Sequence, residues 1–152
     1  MARIEALLEE YGESHQNPTN KLVHWICVPV IFWTVMALLY ALPAPAILGQ
    51  GAWLLIATLG AGAYYLVQSP RLTIGVMGFV VLCYWIVSLV DRVSPVPLWQ
   101  VAITLFIIAW IGQFWGHKVE GKKPSFFKDV QFLLIGPAWL MSFIYRKLGL
   151  PI

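Results

Sequence analysis

From Leu22 onward the chain runs in long apolar blocks separated by short stretches rich in proline and glycine. Only its opening and the segment after Trp115 are markedly polar. Apolar runs near or above ~18 residues let a helix span the hydrocarbon of a bilayer. The blocks predict four spanning helices, from Leu22 to Leu42, Leu48 to Val67, Leu72 to Val90 and Leu98 to Trp115, and a fifth stretch from Val130 to Tyr145. Pro43 and Pro45, Ser69-Pro70, and Pro95 and Pro97 break the chain between them. The connections are therefore short and leave no room for a soluble domain. The fifth stretch is interrupted by Gly136-Pro137 and ends in Arg146-Lys147, which suits a kinked span and a re-entrant or interfacial helix alike. The expected fold is all-α: a polytopic membrane helical bundle forming one membrane-embedded domain over residues 1–152, with 116–129 as a cytoplasmic loop.

The opening MARIEALLEEYGES is acidic and amphipathic, with Ile4, Leu7, Leu8 and Tyr11 at helical spacing. It predicts a short surface helix within residues 1–17 and no cleavable signal peptide. Composition agrees with the block pattern: 60% of residues are hydrophobic and 11% charged, against about a quarter charged in soluble domains. Cys27 and Cys83 lie inside apolar spans, read as small core residues, and imply no disulfide framework. A net charge of +3 is too small to suggest nucleic acid. Its distribution bears on topology instead.

With four crossings, the amino terminus, the Ser69-Pro70-Arg71 turn and the segment from Gly116 to Asp129 share one face. Arg3, Lys21, Arg71, Lys118, Lys122, Lys123 and Lys128 lie there, against Arg92 alone on the opposite loops. The positive-inside rule makes that face cytoplasmic, with Trp25 and Trp115 at its interface and Trp53 and Trp99 at the other. His15, His24 and His117, the only histidines, all fall on it. In HQNPTNKLVHW, Asn17 reads as an N-cap and Pro18 as the first helical residue. Asn20, His24, Cys27 and Ile31 then share one helical face, and His15 sits on the approach. Gln113, His117 and Glu120 form a second stripe if the fourth helix continues past Gly116, and His-x-x-Glu is a spacing with which bundles present metal ligands.

A histidine near headgroups is ordinarily an interfacial side chain, Lys122, Lys123 and Lys128 suit anionic lipid, and Glu120 suits a solvated partner for Lys118 or Lys123. The joint placement of the histidines argues for more. Histidine-rich di-iron desaturases need more histidines than this chain has, His-Glu-x-x-His is absent, and haem between histidines would want them deep in the spans. What remains is one divalent metal with imidazole and carboxylate ligands, and iron(II) suits that set when positions stay open. A small transporter would need ionisable residues at mid-membrane, and the spans hold essentially none. The alternative is a non-enzymatic lipid-binding or scaffolding bundle.

Tyr11, His15-x-Asn17-x-x-Asn20-Lys21-x-x-His24 and Val28-Pro29, with Gln113-Phe114-x-Gly116-His117-x-x-Glu120-x-x-x-Pro124 and Gln131, resemble the Mpo-type family of small multi-spanning membrane proteins, along essentially the whole chain. The resemblance implies an iron(II)-dependent dioxygenase of fatty acid α-oxidation that takes a long-chain 2-hydroxy fatty acid and O2. It implies that His15, His24 and His117 are metal-site residues, with Glu120 the carboxylate and Asn20, Gln113 and Gln131 supporting them. The short loops and absence of a retention signal suit a bacterial inner membrane as well as, in a eukaryote, the endoplasmic reticulum.

Overall fold

The computed structural model describes residues 2–13, 15–121 and 126–152, with side chains except at 2, 3 and 126–133. These residues form six helices and no strand: α1 (Ala2–Glu13), α2 (Pro18–Ala41), α3 (Ala52–Gln68), α4 (Pro70–Val93), α5 (Leu98–Glu120) and α6 (Phe126–Lys147). At 24, 24 and 23 residues, α2, α4 and α5 are long and apolar enough to cross a membrane. Outward-facing Leu22, Ile26, Ile74, Val81, Ile107 and Ile111, each more than half exposed, give these helices an apolar outer surface. Such a surface suits lipid, and the chain is an integral membrane protein.

The helix starts follow local chemistry. The Asn17 side chain accepts from Thr19 N and Asn20 N, and Pro18 opens α2, as the sequence predicts. Ser69 caps α4 by accepting from Leu72 N. The second predicted span departs from expectation. Gly49 and Gly51 adopt φ of 78° and 81°, Leu48 N donates to Pro45 O, and α3 begins only at Ala52. Left-handed glycines stop a helix from propagating, which leaves 17 apolar residues. These extend about 25 Å, short of the ~30 Å hydrocarbon core. At the other extreme, α5 runs through Gly116 to Glu120 and stops where Gly121, at φ 80°, donates to His117 O and Lys118 O. The first residues of the expected 116–129 loop are therefore helical.

Two cores divide the bundle. One joins Ile4, Leu8 and Tyr11 of α1 to Tyr65, Leu72, Val76, Ile135 and Trp139. The other joins Phe32, Trp33, Val80, Val87, Leu98 and Ala102 of α2, α4 and α5. Pro137 lies inside α6, which continues through it as one helix. Among the described residues, those that α6 contributes to a core belong to the first. Tyr65 Oη donates to Leu134 O, and Tyr145 Oη donates to Arg71 O and accepts from Gly75 N. Thus α6 packs beside the half of the bundle where α2 starts and α5 ends.

Candidate metal centre

The amino end of α2 meets the carboxyl end of α5 at unusually close range because two glycines on α5 carry no side chain. A Cβ on Gly116 would stand 2.5 Å from Asn20 Oδ1, and one on Gly112 would stand 2.8 Å from Cys27 Sγ. This small-x-x-x-small spacing lets helices in lipid associate by contact, where no hydrophobic force drives them together.

That approach brings His24 beside His117, their ring centroids 5.3 Å apart. His15 completes the group. Its centroid is 3.9 Å from that of His24 and 5.6 Å from that of His117. Expected on the approach, His15 is instead only 2% exposed, with His24 at 1% and His117 at 6%. The cause is α1. Tyr11 stacks on the His15 ring at 4.2 Å, Trp139 of α6 lies 5.5 Å from it, and His15 N donates to Gly12 O.

The tautomers follow from the partners. His15 Nδ1 faces Tyr11 O at 2.5 Å and His24 Nδ1 faces Asn20 O at 2.9 Å. A carbonyl only accepts, so both Nδ1 atoms carry the proton and both Nε2 atoms present lone pairs. Those two Nε2 atoms are 2.7 Å apart. Facing lone pairs at that distance repel unless a proton or a cation lies between them. A shared proton serves two nitrogens, whereas a cation serves three, and one ligand atom from each of His15, His24 and His117 lies within 4.8 Å of the others. His117 Nδ1 is buried with no hydrogen-bond partner among the described residues. Carbonyl-anchored, buried imidazoles that converge on one point fit a metal that accepts nitrogen ligands.

Glu120 stands outside this group. Its carboxylate accepts from Gln16 N at 3.0 Å, Asn17 N at 2.8 Å and Asn20 Nδ2 at 3.2 Å. The stripe read from sequence does bring Glu120 to the site. It ties the His15 segment and the start of α2 to the end of α5, in the manner of an N-terminal capping carboxylate. Gln113 is buried one turn from His117, and its Oε1 has no partner among the described residues. The Gln131 side chain lies outside them. Tyr11 and Trp139, which pack against His15, and the Gly112 and Gly116 pair also shape the site, beyond the candidate site residues that the sequence points to. Gly-x-x-x-Gly inside an apolar run was the available signal for that pair.

A family model described as 2-hydroxy-palmitic acid dioxygenase Mpo1-like matches residues 1–148. The chain is 31% identical over 148 residues to 2-hydroxy-palmitic acid dioxygenase MPO1 of Saccharomyces cerevisiae, an alignment covering 96% of this chain and 82% of that relative. No solved structure matches.

Proposed function

The chain belongs to the Mpo1-like 2-hydroxy-palmitic acid dioxygenase family, and from that premise we propose that it is an iron(II)-dependent dioxygenase of long-chain 2-hydroxy fatty acids, independent of 2-oxoglutarate. The overall reaction balances without a second reductant: R-CH(OH)-COOH and O2 give R-COOH, CO2 and H2O. The C1–C2 bond breaks, and the substrate supplies all four electrons that reduce dioxygen.

The observation that carries this reading is the pair of proton-bearing Nδ1 atoms held by Tyr11 O and Asn20 O, which leaves two Nε2 lone pairs facing each other beside His117. Bound there by His15, His24 and His117, iron(II) would supply the redox centre at which O2 and the hydroxy acid are brought together. The chain's own tasks are to fix the imidazoles, which the two carbonyls do, and to limit access of water, to which Tyr11 and Trp139 contribute by packing against His15. Glu120 holds the His15 segment against α5 and acts as a positioning residue. Gln113 is a candidate to orient a ligand, its buried oxygen lying one turn from His117.

Residues 1–152 act in this reading as one membrane-embedded unit with the imidazole end toward the cytoplasm, since Lys21, Arg71 and Lys118 lie there and Arg92 opposite. The test is mass spectrometry of products from purified, iron(II)-loaded protein given 2-hydroxypalmitate in detergent. The acid one carbon shorter should form with O2 uptake, unaffected by 2-oxoglutarate, and the 3-hydroxy isomer should be inert. Metal-loaded protein that shortens no 2-hydroxy acid of any chain length overturns the proposal.

A further inference from the structure

Between α2, α4 and α6, one helical turn from His24, lies a cleft of about 110 Å³ walled by Val28, Pro29, Phe79, Pro137, Leu140 and Met141. None of these side chains carries a charge or a hydrogen-bonding group. The two prolines, on facing helices, also lack backbone N–H groups, so much of the wall is apolar down to its main chain. Trp25 and Ile144 also line the cleft, each 40% exposed, and so form its outer rim. Its inner end is Val28, on the same face of α2 as His24.

Behind Val28 the partition is thin. A Cβ on Gly136 would stand 3.0 Å from Val28 Cγ1 and 3.4 Å from Tyr11 Oη. The Tyr11 ring lies 4.2 Å from His15 and 6.3 Å from His24. Gly136, Val28 and Tyr11 therefore stand between the apolar cleft and the buried imidazoles.

We propose that this cleft seats the acyl chain of a long-chain 2-hydroxy acid next to its polar head, with the Val28 and Tyr11 side chains that close on Gly136 turning aside to let head and chain connect. The proposal rests on the dioxygenase reading above and names where its substrate lies. A head group held at the imidazoles leaves its tail only a few bonds in which to reach apolar surface, and this cleft is within that reach. A second cleft, bordering His15, is lined by Glu9, Glu13, Lys21 and Arg146 and suits water and ions rather than methylenes. The apolar grooves beside Val35 and Trp99, and beside Leu54 and Tyr84, lie along the opposite half of the bundle.

The experiment is photolabelling of the full-length protein in detergent with a 2-hydroxy fatty acid carrying a mid-chain diazirine, read by peptide mass spectrometry, alongside turnover of 2-hydroxypalmitate and 2-hydroxydecanoate. Labels are expected on peptides containing residues 25–29 and 137–144, competed by unlabelled 2-hydroxypalmitate. Ile144→Trp, at the exposed rim, should reduce that labelling and lower consumption of the longer acid relative to the shorter by about tenfold. Gly136→Ala should slow both acids. Labelling confined to the grooves at Val35 or Tyr84 overturns the proposal. So does cleft labelling displaced by phosphatidylcholine but not by 2-hydroxypalmitate, and so does an unchanged chain-length ratio in folded Ile144→Trp protein. Cleft labelling competed by 2-hydroxypalmitate, without turnover of any 2-hydroxy acid, supports the cleft and overturns the dioxygenase reading.

Discussion

At the end of the bundle that holds the imidazoles, α2 and α5 are joined through His24, His117, Asn20 and Glu120, and buried Gln68, Ser69, Thr73, Gln113 and Ser142 lie in the same half. At the opposite end the same two helices meet through Phe32, Trp33, Leu98 and Ala102. Among the described residues, the buried polar side chain there is Thr34, whose hydroxyl donates to Ile31 O of its own helix. Between α2 and α5, one half is fastened by directional polar contacts and the other mainly by apolar packing. Polar groups in an apolar surround are costly unless satisfied, so their concentration in one half marks where the molecule gives up packing for chemistry.

That contrast can be broken most severely at the imidazoles. His24→Ala and His117→Ala should each reduce bound iron from stoichiometric to background, measured by elemental analysis of protein purified without a histidine tag. Retention of full metal content by both variants would sink the three-histidine site.

Next comes Glu120→Gln, which keeps the side chain's length but replaces one of the two carboxylate oxygens that receive Gln16 N and Asn17 N. Loss of such outer support typically lowers metal affinity ~10–100-fold. Iron(II) titration in competition with a chelator should show this, with the helical content unchanged. An affinity equal to that of the parent would show that the tether does not position His15.

Gly116→Ala tests the close approach itself. The added methyl would lie 2.5 Å from Asn20 Oδ1 and 3.2 Å from Val23 Cγ1, so Asn20 must turn aside or α2 and α5 must separate. Overpacking of this kind costs about 1–3 kcal/mol. Thermal or denaturant unfolding in detergent reads it, and weaker metal binding should accompany it.

The smallest effect is expected at the other end. Thr34→Val removes a hydroxyl bonded only within its own helix and should change stability by less than about 1 kcal/mol, with metal content intact. A large loss in both would erase the distinction between the halves.

Much of this architecture could be read from the chain before folding was considered. The Asn17-Pro18 start and the apolar blocks depend on neighbours in sequence, so local rules sufficed. The depth of the histidines followed from counting crossings between His24 and His117. Two features were not legible, for a physical reason. The burial of His15 depends on α1 folding back so that Tyr11 stacks on it and Trp139 of α6 covers it, and neither contact has a local signature. Glu120 shares a helical stripe with His117, which the spacing encodes. Which groups its oxygens meet depends on two backbone amides that no side-chain pattern encodes. The late start of α3 at Ala52 was encoded locally, in Gly49 and Gly51, but apolar Ile47 and Leu48 masked it in a hydropathy reading.

The tether between Glu120 and the amides of Gln16 and Asn17 joins positions 104 and 103 residues apart. During synthesis the first histidine emerges early and soon has His24 beside it, yet it lacks His117 until α5 is in place, and it gains its cover from Trp139 only when α6 docks. Closing so long a loop carries an entropic penalty that grows only logarithmically with length. The delay is therefore one of assembly order rather than energy. A nascent chain arrested before α5 should retain no iron, because the last helices to arrive complete the cage around the first histidine made.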